Sequence, residues 1–450
     1  MAIKDWLPFG GKKKPEPLKR VDSTDYTSLE KVYTPVNQLA LGMYVVELDR
    51  PWLETNFAMQ GFELTTEAQI QSVKNVCEYV YIDMSRKRRR KDLERNNTSV
   101  TSAKHKLESH KVLTLGAPPK RLASVEKEMG RAEQTYANTQ VLVKEFLNKA
   151  SKGDGVDGWL AKQAVAECVN SVLHSPDALL WLSQLKNKDH YTAQHSLNTC
   201  VLSIVLGRHL NLPEKNLNNL GLCGMMHDIG NSQIPLAILN KPSKLTPDEL
   251  QIMQSHTTLG YELLKSSNDM HLSAISVALT HHEQLDGKGY PRGIDRGSIS
   301  DFSKIVSIAD VYDAITSNRV YQNSKTHLEA ITTLTKVSGT QLDAILVVKF
   351  IESLGVYPPG CFVEMTNGAV AIVIEVNETA KLRPKVIVVL DEQKQPVVEQ
   401  MLDLSEMPVD KYDMPYTIKS IVKPDEWNID INKYYQENFL QKAFSIKKKR

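Results

Sequence analysis

The chain has 450 residues, of which 55 are lysine or arginine and 53 are aspartate or glutamate, so its formal net charge is +2. A chain of this length has room for two or three domains, and a net charge near zero predicts no strong general attraction to nucleic acid, so no specific nucleic-acid partner is expected. Apolar residues make up 41% of the chain, but no run reaches the ~20 residues that a membrane-spanning helix requires. These values are typical of a globular protein without a transmembrane segment.

Cysteine usage indicates a reducing compartment. The five cysteines are widely spaced, odd in number and without a zinc-ribbon pattern. The basic residues at 12–14 are not followed by the long apolar stretch of a secretion signal. We therefore expect reduced thiols and a cytoplasmic location.

The first third of the chain alternates between irregular and ordered patterns. Residues 1–30 and 86–119 are rich in charged and polar residues, which predicts a flexible lead-in and a basic polar linker. Between them, apolar stretches at 39–48 and 79–82 flank a helical pattern from Thr66 to Cys77. Residues 31–85 are therefore predicted to form a small α/β domain.

Residues 120–355 show helical periodicity almost throughout, which predicts an all-α domain. One predicted helix begins with Thr246 as the N-cap and Pro247 at the first helical position, and continues through His256 toward Leu264. Beyond residue 356 the pattern changes to short β-branched runs. Residues 356–450 are predicted to be a small β-rich appendage with a basic tail, and the fold class to be mainly α.

Histidine and aspartate residues gather in the predicted helical domain as possible metal ligands. They are His195, His227, Asp228, His256, His281, His282 and Asp310. Imidazole and carboxylate together suit Fe, Mn, Zn or Ni better than Ca or Mg. Seven ligands are too many for one tetrahedral ion, whereas two ions that share a carboxylate would use them all. Two ions about 3.5 to 4 Å apart can clamp a phosphoryl group and activate a water, which indicates phosphate ester hydrolysis.

The spacing of these residues favours one shared cavity. His227 and Asp228 are adjacent near the end of a helical segment, so the aspartate can offer one oxygen to each of two ions. Asp310 and Asp313 are three residues apart and therefore lie on one helix face. The histidines without a neighbouring carboxylate motif are predicted to be structural or solvent-facing: His105, His110, His174, His190, His209, His271 and His327.

One long motif identifies a family. His227-Asp228 followed by HHEQLDGKGYP at 281–291 resembles the HD-GYP subfamily of the HD phosphohydrolase superfamily, and the resemblance covers about residues 180–355. Residues 35–90 are similar to a small domain of unassigned function that often precedes HD-GYP modules. The resemblance implies an all-α fold that hydrolyses the bacterial second messenger cyclic di-GMP to linear pGpG.

The resemblance also implies a set of metal ligands. It assigns one ion to His195, His227, Asp228 and Asp310, and a second ion to Asp228, His256, His281 and His282. Asp228 would bridge the two ions and thereby take part in catalysis. Two divalent ions are expected, with Fe or Mn favoured.

Substrate contacts are implied for the loop and for the last helix of the site. Gly287, Gly289 and Tyr290 match the loop that shapes the nucleotide pocket, whereas Asp313 and Arg319 match positions near the scissile phosphate. The guanidinium of an arginine can chelate phosphate oxygens. Signalling proteins are further expected partners, through this loop or the N-terminal domain.

Three positions depart from the family pattern. Asn231 replaces a lysine that would neutralise the phosphate, and Gln322 replaces a second basic residue. Removal of one preorganised donor can slow turnover by ~10²- to 10³-fold, so we expect slow catalysis. Tyr191 stands where members with a third metal carry glutamate. The sequence therefore predicts a dinuclear centre with pGpG as the main product.

Two classes of function remain open at this point. The first is a phosphodiesterase, for which the complete ligand set argues, with a cyclic GMP-AMP hybrid or pGpG as related substrates. The second is a cyclic di-GMP receptor or interaction module with negligible turnover, which the uncharged Asn231 and Gln322 favour.

Overall fold

The computed structural model describes most of the chain from residue 31 onward. The described residues are 31–49, 62–64, 66–83, 119–184, 191–317, 324–427 and 429. The predicted lead-in and nearly all of the predicted linker lie outside these ranges. Arg319 and Gln322 also lie outside them, and so does the side chain of Tyr191.

The N-terminal domain is a four-stranded antiparallel sheet with one helix. Its strands β1 (Lys31–Pro35), β2 (Tyr44–Leu48), β3 (Phe62–Glu63) and β4 (Tyr79–Asp83) lie in the order β1-β4-β2-β3. Helix α1 (Glu67–Val76) begins with a capping box in which Thr66 and Gln69 exchange hydrogen bonds. The side chain of Val73 on α1 is buried together with Val45 and Val80 of the sheet. The expected small α/β domain is therefore present.

The helical domain consists of helices joined by short connections. They are α2 (Val125–Ala150), α3 (Gly158–His174), α4 (Pro176–Ser183), α5 (Tyr191–His209), α6 (Glu214–Met226), α7 (Leu236–Leu239), α8 (Pro247–Gln254), α9 (His256–Ser266), α10 (Leu272–Thr280), α11 (Asp301–Thr316), α12 (His327–Val337) and α13 (Ala344–Leu354). Helix α5 is buried nearly all round, as expected for a helix at the centre of a domain. It packs against α6 and α11. Four of the seven predicted ligands lie on these three helices or directly after one of them.

The predicted helix from Pro247 toward Leu264 divides at Ser255. Its start is as expected, because Thr246 and Glu249 form a capping box and Pro247 follows. The hydroxyl of Ser255 donates to the carbonyl of Ile252 at 2.6 Å, and its backbone N–H lies between the carbonyls of Gln251 and Ile252. A serine hydroxyl that competes for a helix carbonyl weakens the regular ladder. His256 therefore begins a separate helix.

A five-stranded antiparallel sheet follows the helices and shares their core. Strands β5 (Phe362–Met365), β6 (Val370–Glu375), β7 (Lys385–Leu390), β8 (Pro396–Asp403) and β9 (Ile418–Val422) lie in the order β8-β7-β6-β5-β9. Alternate residues point to opposite faces of a strand, so Ile372 and Ile387 join the core of the helical domain, whereas Val373 and Val386 form a second cluster. The mainly α fold class is confirmed.

None of the helices within the described ranges is long and apolar enough to cross a membrane.

Candidate metal centre

Helix α5 and helix α11 place the first group of predicted ligands side by side. Nε2 of His195 lies 3.1 Å from Oδ1 of Asp310. Nδ1 of His195 donates to Oδ2 of Asp313 at 2.7 Å. Asp310 and Asp313 therefore share one helix face, as expected, and both approach the same imidazole.

The end of helix α6 brings in the next two ligands. His227 is the C-cap residue of α6, and Asp228 precedes a 3-10 turn at Ile229–Gln233. Nε2 of His227 lies 3.6 Å from Oδ2 of Asp228 and 3.9 Å from Oδ1 of Asp310. Because the helix ends between them, the imidazole and the carboxylate reach the same cavity.

Helices α9 and α10 supply the second group of predicted ligands. His256 opens α9, and His281 and His282 follow the last residue of α10. All three histidines are buried. Nε2 of His256 lies 3.4 Å from Nε2 of His281.

The carboxylate of Asp228 lies between the two groups. Its Oδ1 is 3.3 Å from Nε2 of His256 and 3.4 Å from Nε2 of His281. Its Oδ2 is 3.6 Å from Nε2 of His227 and 3.8 Å from Nε2 of His195. Each oxygen therefore faces a different set of histidines.

Backbone carbonyls fix the tautomers of the central histidines. Nδ1 of His227 lies 2.8 Å from the carbonyl of Gly224, and Nδ1 of His256 lies 2.8 Å from the carbonyl of Met253. Nδ1 of His281 lies 3.1 Å from the carbonyl of Val277. A carbonyl only accepts, so each Nδ1 must carry the proton, and each neutral ring presents the lone pair of Nε2 to the cavity.

Burial lowers the pKa of three histidines of the cavity. It lowers the pKa of His227 to about 4, although the carboxylate of Asp228 opposes the shift. Burial also lowers the pKa of His256 and, aided by the neighbouring His281, holds the pKa of His282 well below its usual value. Burial by itself would raise the pKa of Asp228, but the surrounding imidazoles hold it well below the usual range. The cavity thus combines neutral imidazoles with an ionised carboxylate, which are the forms that bind metals.

These atoms fit divalent metal ions. Two imidazole lone pairs at 3.4 Å, as in His256 and His281, repel each other unless a cation lies between them. Ligand atoms about 2.1 Å from one ion lie about 3 to 3.4 Å apart, which is close to the separations found here. Nε2 of His227 is buried and has no hydrogen-bond partner within the described part of the chain. Two groups have ligand atoms within 4.8 Å of one another, namely Asp228 with His256, His281 and His282, and Asp228 with His195 and His227.

The loop after His282 folds back over the second group. The ring of Tyr290 packs against the imidazole of His282 with centroids 4.7 Å apart, and its N–H donates to the carbonyl of His282 at 3.2 Å. Gly289 has no room for a side chain, because a Cβ there would lie 2.5 Å from the carbonyl oxygen of His282. Gly287 closes the turn by donating its N–H to the carbonyl of Gln284. The residues predicted to shape a pocket therefore border the predicted metal ligands.

Asn231 and Asp313 lie near the cavity in different ways. Asn231 is half-buried in the 3-10 turn, and its N–H donates to the carbonyl of Asp228 at 3.0 Å. Asp313 is buried behind His195 and accepts further hydrogen bonds from Asn198 and Ser317. These hydrogen bonds hold the carboxylate of Asp313 against the imidazole of His195, and its predicted place near the scissile phosphate stays a prediction.

Two buried residues of the site do not stand out in the sequence. Glu283 accepts from the N–H of Arg292 at 2.9 Å and from that of Ile294 at 3.1 Å, so it anchors the loop. In the sequence, its position directly after His281 and His282 is the feature that could have drawn attention to it. Asn198 lies one helical turn after His195 and donates to Asp313. This spacing was its only signal in the sequence.

Comparison with known families divides the chain into three matched regions. Residues 182–346 match an HD domain, and this range contains every predicted metal ligand. Residues 32–158 match a domain of unknown function, DUF3391, which extends beyond the predicted boundary at residue 85. Residues 362–409 match a KOW domain associated with HD domains.

Several curated proteins resemble this chain. A cyclic di-GMP phosphodiesterase of Pseudomonas aeruginosa is 35% identical over 373 residues, which cover 82% of this chain and 88% of that protein. A cyclic di-GMP phosphodiesterase of Thermotoga maritima is 37% identical over 166 residues, which cover 37% of this chain and 45% of that protein. A 3'3'-cGAMP-specific phosphodiesterase of Vibrio cholerae is 35% identical over 168 residues, which cover 37% of this chain and 39% of that protein.

Proposed function

The chain belongs to the HD-GYP family of HD-domain proteins, and we propose that it is a metal-dependent phosphodiesterase that hydrolyses cyclic di-GMP. The observation that carries this proposal is the position of Asp228, whose two oxygens face separate groups of histidines. A similar protein that shares most of its length with this chain is named for the same activity.

The proposed centre holds two ions. We assign one ion to His195, His227, Asp228 and Asp310, and the other to Asp228, His256, His281 and His282, with Fe or Mn favoured. When bound, two such ions would stabilise charge on a phosphodiester and activate a water for attack on phosphorus.

The charges of the ligands suit a cyclic dinucleotide. A histidine that binds a metal does so as a neutral imidazole and adds no charge, whereas Asp228 and Asp310 each contribute one negative charge to the cavity. Two divalent ions would leave a net charge of about +2, which complements the two phosphodiesters of the substrate. Asp313 holds the Nδ1 proton of His195, so that Nε2 stays available to an ion.

The loop of Tyr290 would form one wall of the nucleotide pocket. Burial and the nearby carboxylates of Asp228 and Asp310 hold the pKa of Tyr290 well above its usual value, so its hydroxyl keeps its proton. A protonated phenol can donate a hydrogen bond to a phosphate oxygen without adding repulsion. The packing of the ring on His282 holds it in position. Arg319 would add a guanidinium to the same pocket.

We further propose that turnover is slow and ends at pGpG. Asn231 offers an amide where a lysine would offer a positive charge, and Gln322 removes a second one. A weaker neutralisation of the phosphate raises the barrier to attack. Tyr191 is a poor replacement for the glutamate of a third metal site, which favours a dinuclear centre.

A direct assay tests the proposal. Protein loaded anaerobically with Fe(II) or Mn(II) is incubated with cyclic di-GMP, and the products are separated by chromatography. We expect linear pGpG from the wild type and none from Asp228→Ala, which should also lose the bound metal. The control variant Asp248→Ala removes an exposed aspartate from the first turn of α8 and should behave as the wild type. Metal-loaded wild type that yields no linear product would contradict the enzyme proposal.

The same assay separates the alternatives. Tight binding of cyclic di-GMP without product would support a receptor, which the uncharged amide of Asn231 favours. Preferential cleavage of 3'3'-cGAMP would point to a hybrid cyclic dinucleotide as the substrate, as the name of the Vibrio cholerae relative suggests.

A further inference from the structure

A buried chain of hydrogen bonds connects helix α2 to the metal ligand His195. The hydroxyl of Tyr136 donates to Oδ1 of Asn198 at 2.8 Å, and Nδ2 of Asn198 donates to Oδ1 of Asp313 at 3.0 Å. Oδ2 of Asp313 accepts from Nδ1 of His195 at 2.7 Å. The side chains of all four residues are buried, so water does not compete for these bonds.

The direction of each hydrogen bond follows from the chemistry of the groups. Nδ2 of Asn198 donates to Oδ1 of Asp313, so the amide oxygen of Asn198 faces the hydroxyl of Tyr136. Only a donor can satisfy that oxygen, and the hydroxyl of Tyr136 donates to it. Burial raises the pKa of Tyr136 further above its usual value, and Asp313 adds to the shift, so the hydroxyl keeps its proton.

We propose that Tyr136 is a positioning residue of the metal centre, which acts through Asn198 and Asp313 to orient His195. Without its hydroxyl, the buried oxygen of Asn198 would lose its donor, and a rotated amide would place that oxygen against the carboxylate of Asp313. Either arrangement weakens the hold of Asp313 on Nδ1 of His195. The groups behind a metal ligand fix its ring and its tautomer, and loss of such a group typically lowers metal affinity about 10- to 100-fold.

This chain of hydrogen bonds from Tyr136 through Asn198 and Asp313 to His195, called the relay below, begins outside the region that matches the HD domain. Tyr136 lies on α2, within the match to the domain of unknown function at 32–158, whereas Asn198, Asp313 and His195 lie within 182–346. The HD-domain match therefore does not contain every residue that positions its ligands. This inference rests on the proposed metal dependence, but not on the identity of the nucleotide.

Metal affinity is the direct test. Mn(II) binding to the full-length chain is measured by calorimetry, together with the thermal unfolding temperature, kcat and KM for cyclic di-GMP. We expect Tyr136→Phe to bind one of the two ions about tenfold more weakly, with a lower kcat at limiting Mn(II) and an unchanged KM. Excess Mn(II) should restore most of the lost kcat, which a general packing defect would not allow.

Thr139→Val is the matched control on the same helix. Thr139 is also buried on α2, and its hydroxyl contacts the sulfur of Cys168 at 3.8 Å rather than the relay. This variant loses a buried hydroxyl and should keep the wild-type Mn(II) affinity. Wild-type affinity in Tyr136→Phe, or an equal loss in both variants, would overturn the proposal.

A double-mutant cycle tests the route through Asn198. Asn198→Leu interrupts the relay, so adding Tyr136→Phe to it should cause no further loss of Mn(II) affinity. Additive losses would mean that Tyr136 acts by another route and would overturn the relay. If the wild type binds Mn(II) but cleaves no cyclic di-GMP, the proposed activity is wrong. The differences in Mn(II) affinity between the variants then still show whether the relay exists. A wild type that binds no Mn(II) overturns both.

Discussion

Asn231 leaves the proposed metal centre without a positive charge that the family pattern would place beside it. It lies in the 3-10 turn that starts directly after Asp228, and its N–H donates to the carbonyl of Asp228. The side chain is half-buried and carries no charge. A dianionic substrate at this point would meet a hydrogen-bond donor but no counter-charge.

Restoring the charge should therefore speed catalysis. We expect Asn231→Lys to raise kcat for cyclic di-GMP by at least about tenfold, because removal of a single preorganised donor can cost ~10²- to 10³-fold. The control Gln233→Lys adds the same charge on a side chain that faces the carbonyl of Ala150 instead. Steady-state kinetics of the three proteins is the measurement. An unchanged rate in Asn231→Lys, or an equal rise in both variants, would contradict this prediction.

At the scale of residues, local patterns in the sequence indicate the proposed ligands more readily than the residues that hydrogen-bond to them. The pairs His227-Asp228 and His281-His282 are visible because their members are adjacent. Asn198 and Asp313 are 115 positions apart, and Tyr136 is 62 positions from Asn198. No local pattern joins such distant residues, since only the packing of α2, α5 and α11 brings them together.

At the scale of elements, the 3-10 turn and helix α9, which carry Asp228 and His256 of the proposed second ion, are in close backbone contact. A Cβ added at Gly230 would overlap the carbonyl oxygen of His256 and lie 2.5 Å from the backbone nitrogen of Gly260. These are backbone atoms, which cannot rotate away as a side chain can. Glycine thus allows the turn that carries Asp228 to approach the first residue of α9.

A methyl group at this contact should push α9 and its histidine away from Asp228. We expect Gly230→Ala to lower the free energy of unfolding by about 1 to 3 kcal/mol, as overpacking usually does, and to weaken Mn(II) binding. Chemical denaturation and calorimetry measure the two effects. Gly155→Ala is the control, because a Cβ there would meet its nearest neighbour at an ordinary 3.4 Å. Wild-type Mn(II) affinity in Gly230→Ala would show that this contact does not position His256.

Helix starts are easier to predict than helix interruptions. The capping box of Thr246 and Glu249 follows from residue types three positions apart, and the structure contains it. The interruption at Ser255 depends on whether one hydroxyl captures the carbonyl of Ile252. That outcome is decided by local competition within the helix, and serine tolerates either result.

At the scale of the molecule, the helical domain and the C-terminal sheet are built as one packed body. The sequence indicates a β-rich appendage, but Ile372 and Ile387 of the sheet are buried in the core of the helices. The change from helical to strand periodicity marks where the sheet begins, and it contains no information on which face of the sheet meets the helices. Arg121 reinforces this junction through ion pairs with Asp177 of α4 at 2.9 Å and Glu375 of β6 at 3.3 Å.

The carboxyl of Asp177 makes this junction sensitive to pH. Burial raises its pKa from 3.8 to about 6, although Arg121 and the N–H of Val376 oppose the shift. The folded protein therefore holds a proton that the unfolded chain has released between about pH 4 and pH 6. The stability that this group contributes is present below about pH 4 and is lost as the pH rises through 6. A shift of about two pKa units corresponds to about 3 kcal/mol.

Asp177→Asn removes this titration and keeps an oxygen that can accept from Val376. We expect the free energy of unfolding of the variant, relative to the wild type, to rise by about 3 kcal/mol between pH 4 and pH 6 and then to level off. Urea denaturation at each pH measures this difference, and the exposed Asp154→Asn should follow the wild-type curve. If the ion pair with Arg121 outweighs burial, the wild type will instead gain stability over this range. That result would mean that Asp177 joins the sheet to the helices as an ionised partner of Arg121 rather than as a buried neutral acid.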